Sequence, residues 1–330
     1  MSQGPGGEAG FPAMTATAAA GSAMIRRRRR PVAERAFHAL SPYLLLAPAA
    51  LVIVAVLGYP LYLLTRLSFE QFGLASLITK KGTWIGLDNY SRIFQDRQFW
   101  TVLLRTFVFT AVNVGLTMVL GTLIALLLAR LGRFMRLLLT TGLVLVWATP
   151  VIVAVNIFRW MVDYEFGVLN WTLTKLHVGD FLNKDWFADP TTGFAVITAI
   201  VVWGAIPFVA ITLYAGLSQV PAELVEAAEI DGARRWQVFK DITFPLLLPI
   251  FVILTSLSII WDFQVFNQIW LARGSEPEEE YWLMSVYSFV EAFKLGEYGF
   301  GAAIAVVMVC AMFLATFVYL RQMIRVGDTR

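Results

Sequence analysis

Few residues of this chain could do chemistry, and the most conspicuous is a carboxylate in an expensive place. Asp262 stands in an apolar stretch with Ser258, Trp261, Gln264 and Asn267 around it. In a helix Ser258 and Asp262 share a face, and Trp261 lies one turn from both Ser258 and Gln264. An ionisable group in hydrocarbon costs about 2.5–3.5 kcal/mol on insertion scales, which makes Asp262 a functional candidate. Carboxylates and amides supply the acceptors and donors that a hydroxyl-rich molecule requires. The competing reading is that these groups bond neighbouring helices and only hold a bundle together. Trp203 and Phe208 bracket Pro207, and Trp147 precedes Pro150. A ring can pack on the apolar C–H face of a sugar, and proline frees backbone groups at bends near cavities. Taken singly, each ring suits lipid-facing or interhelical packing equally well. Asn156 and Arg159 lie one turn apart near a span end, where an arginine snorkels to the interface.

A second constellation runs from Pro221 to Pro245 and reads as two short helices with a bend. Pro221 suits a first helical turn, and Glu223 favours its positive end. Leu224, Ala227 and Ala228 fall on one face, Gly232 allows the bend, and Trp236 and Phe239 resume an apolar face. The small residues 227, 228, 232 and 233 keep the segment narrow enough to seat in a groove of another protein. Glu226 and Asp231 place charge on its flanks. On these residues alone, an amphipathic helix lying on lipid headgroups is the competing reading.

The elements that must position these residues are membrane spans. The 330 residues are 58% hydrophobic and 15% charged, against roughly 45–50% and 25% in soluble domains, which excludes a routine soluble enzyme. A spanning helix needs about 20 apolar residues, and six stretches qualify, at about 43–65, 106–129, 137–160, 194–216, 246–270 and 300–320. The expected fold is an all-α integral membrane protein of six transmembrane helices. With the N-terminus inside, fifteen of the 26 Lys and Arg residues fall on the inner side, so both termini are expected in the cytoplasm of a cell-membrane protein. Residues 1–41 end in the run Arg26 to Arg30 and cannot bury a core. That run is read as a charge anchor with an attraction to anionic lipid, and not as part of a cleaved leader. The expected division is this N-terminus, a permease domain at 42–325 with its loop at about 218–245, and a tail at 326–330. The outer loops, including Trp84 to Tyr90, Asp163 to Gly167 and the acids Glu276, Glu278, Glu279 and Glu280, could meet a soluble partner or simply be solvated. A net charge of +3 is too mild for nucleic acid, Cys310 permits no internal disulfide, and His38 and His177 show no metal spacing.

The string Glu226-Ala227-Ala228-x-x-Asp231-Gly232-Ala233, followed by Phe239-x-x-Ile242-x-x-Pro245, resembles the EAA loop of the permease subunits of binding-protein-dependent ABC importers. Its place before the last two spans, the string Trp84-x-Gly-Leu-Asp-Asn-Tyr90, and Trp203-x-x-x-Pro207 are similar to the maltose and glycerol-3-phosphate type. The resemblance covers about residues 40–325 and implies a type I importer permease, a transporter subunit and not an enzyme. By that resemblance Glu226, Ala227, Ala228, Asp231 and Gly232 form a coupling helix that docks on a cytoplasmic ATPase. ATP and magnesium then belong to the partner chain, in keeping with the lack of a phosphate-cradling G-x-x-x-x-G-K-[ST] loop here. The implied partners are a second related permease, two ATPase subunits and an extracytoplasmic solute-binding protein. The implied cargo is a sugar, a di- or oligosaccharide, with glycerol-3-phosphate or a polyol as the alternative. Positions matching Trp147, Ala205, Phe208, Ser258 and Asp262 surround the sugar in the maltose type. Trp147 and Phe208 replace tyrosines there and Asp262 an asparagine, so the location carries over while the particular sugar does not. A secondary transporter would show internal repeats and broken spans, neither visible in the sequence. A membrane enzyme would need paired acids, a His cluster or an activated nucleophile.

Overall fold

The computed structural model describes residues 45–328, so the Arg26–Arg30 run, His38 and the expected boundary at 41 lie outside the described residues. Contacts divide the chain between Tyr59 and Pro60. The first apolar helix, α1 (Leu45–Ser68), has none of its most apolar stretch buried and contains a π turn at Val54–Gly58.

Beyond Pro60 the chain folds on itself. Strands β1 (Glu70–Gln71) and β2 (Thr83–Trp84) pair antiparallel on either side of α2 (Leu74–Thr79), and α3 (Asp88–Gln95) follows. Within the string Trp84 to Tyr90, Trp84 and Leu87 are exposed and Asn89 and Tyr90 turn inward. Gly86 takes φ +61 to turn the chain into α3. Asn89 is buried and donates from Nδ2 to the carbonyls of Ser68 (2.9 Å) and Glu70 (3.1 Å), while the Tyr90 hydroxyl bonds Ser68 Oγ at 2.6 Å. Asn89 and Tyr90 therefore knit this connection together.

Helix α4 (Arg97–Arg130) is capped by Asp96, whose carboxylate accepts from the Gln98 N–H at 2.9 Å. Its buried residues Phe99, Val102, Thr106, Phe109, Asn113, Thr117, Gly121, Ala125 and Leu128 recur at three- and four-residue spacing. From Phe109 onward that stripe packs on α8 (Pro190–Leu217), while Phe99 and Val102 pack against Met284, Tyr287 and Ile304. A Cβ on Gly121 would come within 2.6 Å of Val209, so the glycine permits the close crossing that membrane helices use in place of a hydrophobic drive.

The third span departs from the expected continuous helix at 137–160. It is two helices, α5 (Arg133–Trp147) and α6 (Val151–Met161), bent by 101°. Pro150 has no N–H to donate and pushes Thr149 away from helical geometry, so the ladder stops at Trp147 and restarts when the Val153 N–H finds the Pro150 carbonyl at 2.9 Å. Pro207 leaves α8 continuous. After α7 (Val168–Lys175), α8 starts on Asp189, whose carboxylate accepts from the N–H groups of Thr191 and Thr192 and is held below its ordinary pKa by them.

Helix α9 (Ala222–Ile230) carries the loop. The fifth span, α10, runs Arg235–Phe263 with a π turn at Phe239–Thr243, and so begins earlier and ends earlier than the expected 246–270. Asp262 is thus the penultimate residue of the helix, not an interior one. Past it the backbone leaves helical geometry through Gln264 and Phe266 and re-forms as α11 (Asn267–Ala272). A 3-10 turn (Glu279–Tyr281), α12 (Met284–Phe289) and a π turn (Val290–Lys294) lead to the last helix, α13 (Tyr298–Asp328). Among the described residues, five helices are long and apolar enough to cross a membrane, and six if the bent pair counts as one span.

Candidate functional site

The bend between α5 and α6 faces α8 and the end of α10, and a cavity of about 260 Å³ lies between them. Trp147 and Thr149 come from the bend, Trp203, Ala205 and Phe208 from α8, Trp261 and Asp262 from α10, and Gln268 from α11. Phe208 and Trp261 meet edge to face with ring centroids 5.3 Å apart. Trp203 packs similarly on Phe158 at 5.6 Å. Asp262 is only 4% exposed, and its Oδ2 has no hydrogen-bond partner. A buried carboxylate oxygen left unpaired is costly.

Not every candidate reaches this wall. Ser258 is buried one turn below Asp262, outside the lining. Gln264 turns away, its Nε2 donating to the Ile260 carbonyl at 3.1 Å, and Asn267 opens α11 without lining the cavity. Thr149 and Gln268 were not singled out by sequence reasoning. Gln268 becomes available because the backbone unwinds after Phe263, which the apolar pattern does not record. Arg159 bonds the Leu271 carbonyl at 3.4 Å and so ties α6 to the end of α11.

At the other end of the bundle, α9 buries none of its residues. Glu226, Ala227, Asp231 and Gly232 are exposed and Ala228 is half-buried. The helix ends in a Schellman turn: the Gly232 N–H reaches the Glu229 carbonyl at 3.1 Å and the Ala233 N–H the Ala228 carbonyl at 2.9 Å. That closure needs the left-handed backbone of Gly232, φ +82, which is why glycine follows Asp231. Helix α9 begins at Ala222, with Pro221 just before it rather than in its first turn. Across the turn Trp236 stacks on Phe239 at 5.7 Å, and an apolar cleft of about 850 Å³ separates this segment from the end of α4, with Glu229, Arg235 and Arg130 at its polar edge. Ile230 is 86% exposed and Trp236 68%.

The far end is closed by polar contacts within the chain. Arg105 donates to the carbonyls of Glu279 and Trp282, both at 2.9 Å, and the Tyr287 hydroxyl donates to Asp96 Oδ2 at 2.8 Å. Arg273 grips Glu278 with two hydrogen bonds, which hold that carboxyl below its ordinary range. Glu291 is buried with Oε2 unpartnered, and burial, followed by the charge of Glu297, pushes its carboxyl up to about 7.

The described residues thus form a multi-pass helical bundle with one broken span, a break the sequence did not show, a cavity at that break and an exposed two-helix loop before the last two spans. Residues 118–326 match the family model described as the binding-protein-dependent transport system inner membrane component. The chain belongs to this family, the permease subunits of ABC importers. It is 43% identical to the diacetylchitobiose uptake system permease protein DasB of Streptomyces coelicolor, over 90% of both chains. It is 32% identical to the trehalose/maltose transport system permease protein MalF of Thermococcus litoralis, over 84% of this chain and 92% of that one. The fold matches a chain of a bacterial ABC transporter involved in the import of the acidic polysaccharide alginate, with a TM-score of 0.74 at 19% identity, covering 88% of this chain and 99% of that one.

Proposed function

We propose that this permease forms half of the path for a di- or oligosaccharide and couples it to a cytoplasmic ATPase through residues 221–245. The observation that carries the path reading is the unpartnered Asp262 oxygen in a cavity walled by Trp147, Trp203, Phe208 and Trp261. Aromatic faces take the C–H face of a pyranose, and carboxylate and amide groups take its hydroxyls. The names of the diacetylchitobiose and trehalose/maltose relatives support a sugar of two units or more. In this reading a second permease encloses the other half of the path, and an extracytoplasmic binding protein delivers the sugar. The docking face is α9 with its Schellman turn, where Glu226, Ala227, Ala228, Asp231 and Gly232 meet the ATPase. ATP and magnesium are held by that partner, and both termini lie in the cytoplasm.

The test is uptake per assembled complex in proteoliposomes. Asp262→Ala should lower uptake about tenfold or more, the effect of losing roughly 1.4 kcal/mol or more of binding in the path. Basal ATP hydrolysis should persist, and Asp262→Asn should retain part of the uptake because the amide keeps an acceptor. Unchanged uptake per complex, with fewer complexes assembled, would assign Asp262 to holding the bundle together.

A further inference from the structure

Among the described residues, the cavity at the broken span has one ionisable residue in its wall, Asp262, and no Lys, Arg or His. The cations of the neighbouring segments are engaged elsewhere: Arg159 at the Leu271 carbonyl, Arg105 at the carbonyls of Glu279 and Trp282, and Arg273 at Glu278. Nothing in the lining neutralises the carboxylate, and Oδ2 has no hydrogen-bond donor. The rest of the wall is aromatic and aliphatic, with Thr149 and Gln268 as its uncharged polar groups. Aromatic faces carry the negative side of the ring quadrupole, so they attract cations and repel anions. A carboxylate between low-dielectric walls acts over a longer range than it would in water.

We propose that Asp262 carries its charge in this cavity and makes it a charge filter, open to uncharged sugars and to sugars bearing an ammonium group, and closed to sugars bearing a carboxylate, sulfonate or phosphate. The inference rests on the path reading above and narrows its substrate class. An anion placed here meets a like charge with no compensating donor set, and like charges brought together without water between them cost several kcal/mol. An uncharged sugar gives the Oδ2 atom a hydroxyl or amide N–H, and an ammonium group gives it a charge-assisted bond. The filter acts after any selection by a binding protein, and this chain contributes Asp262 to it. It also disfavours a phosphorylated cargo such as glycerol-3-phosphate.

The local potential can be read by charged thiol reagents on the assembled complex, reconstituted in lipid with cysteine-free partner chains. Cys310, the sole cysteine, is replaced by Ser, and Ala205→Cys places a thiol in the cavity wall. Cationic and anionic methanethiosulfonates of similar size are compared, each rate normalised to that of a small thiol in solution. With Asp262 present, the cationic reagent should react at least about tenfold faster than the anionic one, the lower end of what field focusing in a cleft produces. Asp262→Asn should bring the ratio close to one, and Asp262→Glu should keep the preference. A thiol at Thr79→Cys, on an exposed segment, should give a ratio that Asp262→Asn leaves unchanged. Equal rates in the presence of Asp262, or a preference that survives Asp262→Asn, would overturn the filter and leave the path reading standing. A thiol at position 205 that reacts with neither reagent, with or without ATP, would overturn the path reading and the filter with it.

Discussion

Two connections flank the fifth span, and they are built on opposite lines. On one side, residues 264–297 bury Val265, Ile269, Leu283, Met284, Val286 and Tyr287 and tie many of their polar groups within the chain, through Arg105, Tyr281 and Arg273, with Glu291 Oε2 left unpartnered. On the other, α9 buries nothing, and Ile230 and Trp236 stand open. Both segments are short helices separated by turns, so helix propensity does not distinguish them. The difference lies in what completes each fold. The far-end connection is finished by its own chain, whereas the loop's backbone is fixed by a Schellman turn while its apolar side chains still lack a surface. Exposed apolar groups on a backbone held this firmly are what the proposed docking face offers a partner.

Substitutions can break that contrast from either side, and the largest effect is expected at Gly232. A β-branched residue at φ +82 costs about 1–2 kcal/mol or more. Gly232→Val should therefore reduce transport roughly tenfold or more and uncouple ATP hydrolysis, while sugar binding by the soluble partner is unaffected. Gly299→Ala probes the completed end. Its Cβ would lie 2.1 Å from the Glu70 carbonyl oxygen, a backbone atom that cannot step aside. Overpacking of this kind costs about 1–3 kcal/mol, so the amount of folded complex should fall, as read by its thermal transition, while transport per complex stays unchanged.

A smaller, pH-dependent effect is expected at Glu291, which feels the charges of Glu297, Asp96 and Glu279, is coupled to Tyr287, and is opposed among the described residues by the cation Arg92. Its folded-state pKa of about 7 lies above the ordinary 4.5, so the folded state binds the proton more tightly. The stabilisation is complete below the ordinary value and is lost as pH rises toward and through about 7. Melting temperature should therefore fall over that window, and Glu291→Gln should flatten the slope. The smallest effect belongs to the exposed pair Lys294–Glu276, 3.6 Å apart. Glu276→Ala should change stability by less than about 1 kcal/mol in the same melts.

The all-α membrane fold was legible because span length and apolar runs follow directly from bilayer thickness. The break in the third span was only half legible. Pro150 marks a bend, but a 101° turn depends on what packs against it. The end of α10 was hidden for a related reason: Val265, Phe266, Ile269 and Trp270 extend the apolar pattern past Phe263 between Gln264, Asn267 and Gln268, while the backbone beyond Phe263 is held by tertiary contacts, among them Ser285 Oγ donating to the Val265 carbonyl at 2.6 Å. The loop was the clearest part, since proline, small residues and a glycine at a required left-handed position are all local signals. Ser258 shows the limit of helical spacing as a guide. It shares a face with Asp262 yet stops one turn short of the cavity.

The docking role of α9 is tested most directly by a photoreactive side chain at Ala227, which is exposed on that helix, compared with one at Trp171, which is exposed at the opposite end of the bundle. In the assembled transporter with ATP cycling, irradiation should link the probe at position 227 to the ATPase subunit, and the probe at position 171 should give no such product. Adducts of the ATPase with position 171, or of the solute-binding protein with position 227, would contradict both the docking role and the orientation of the chain.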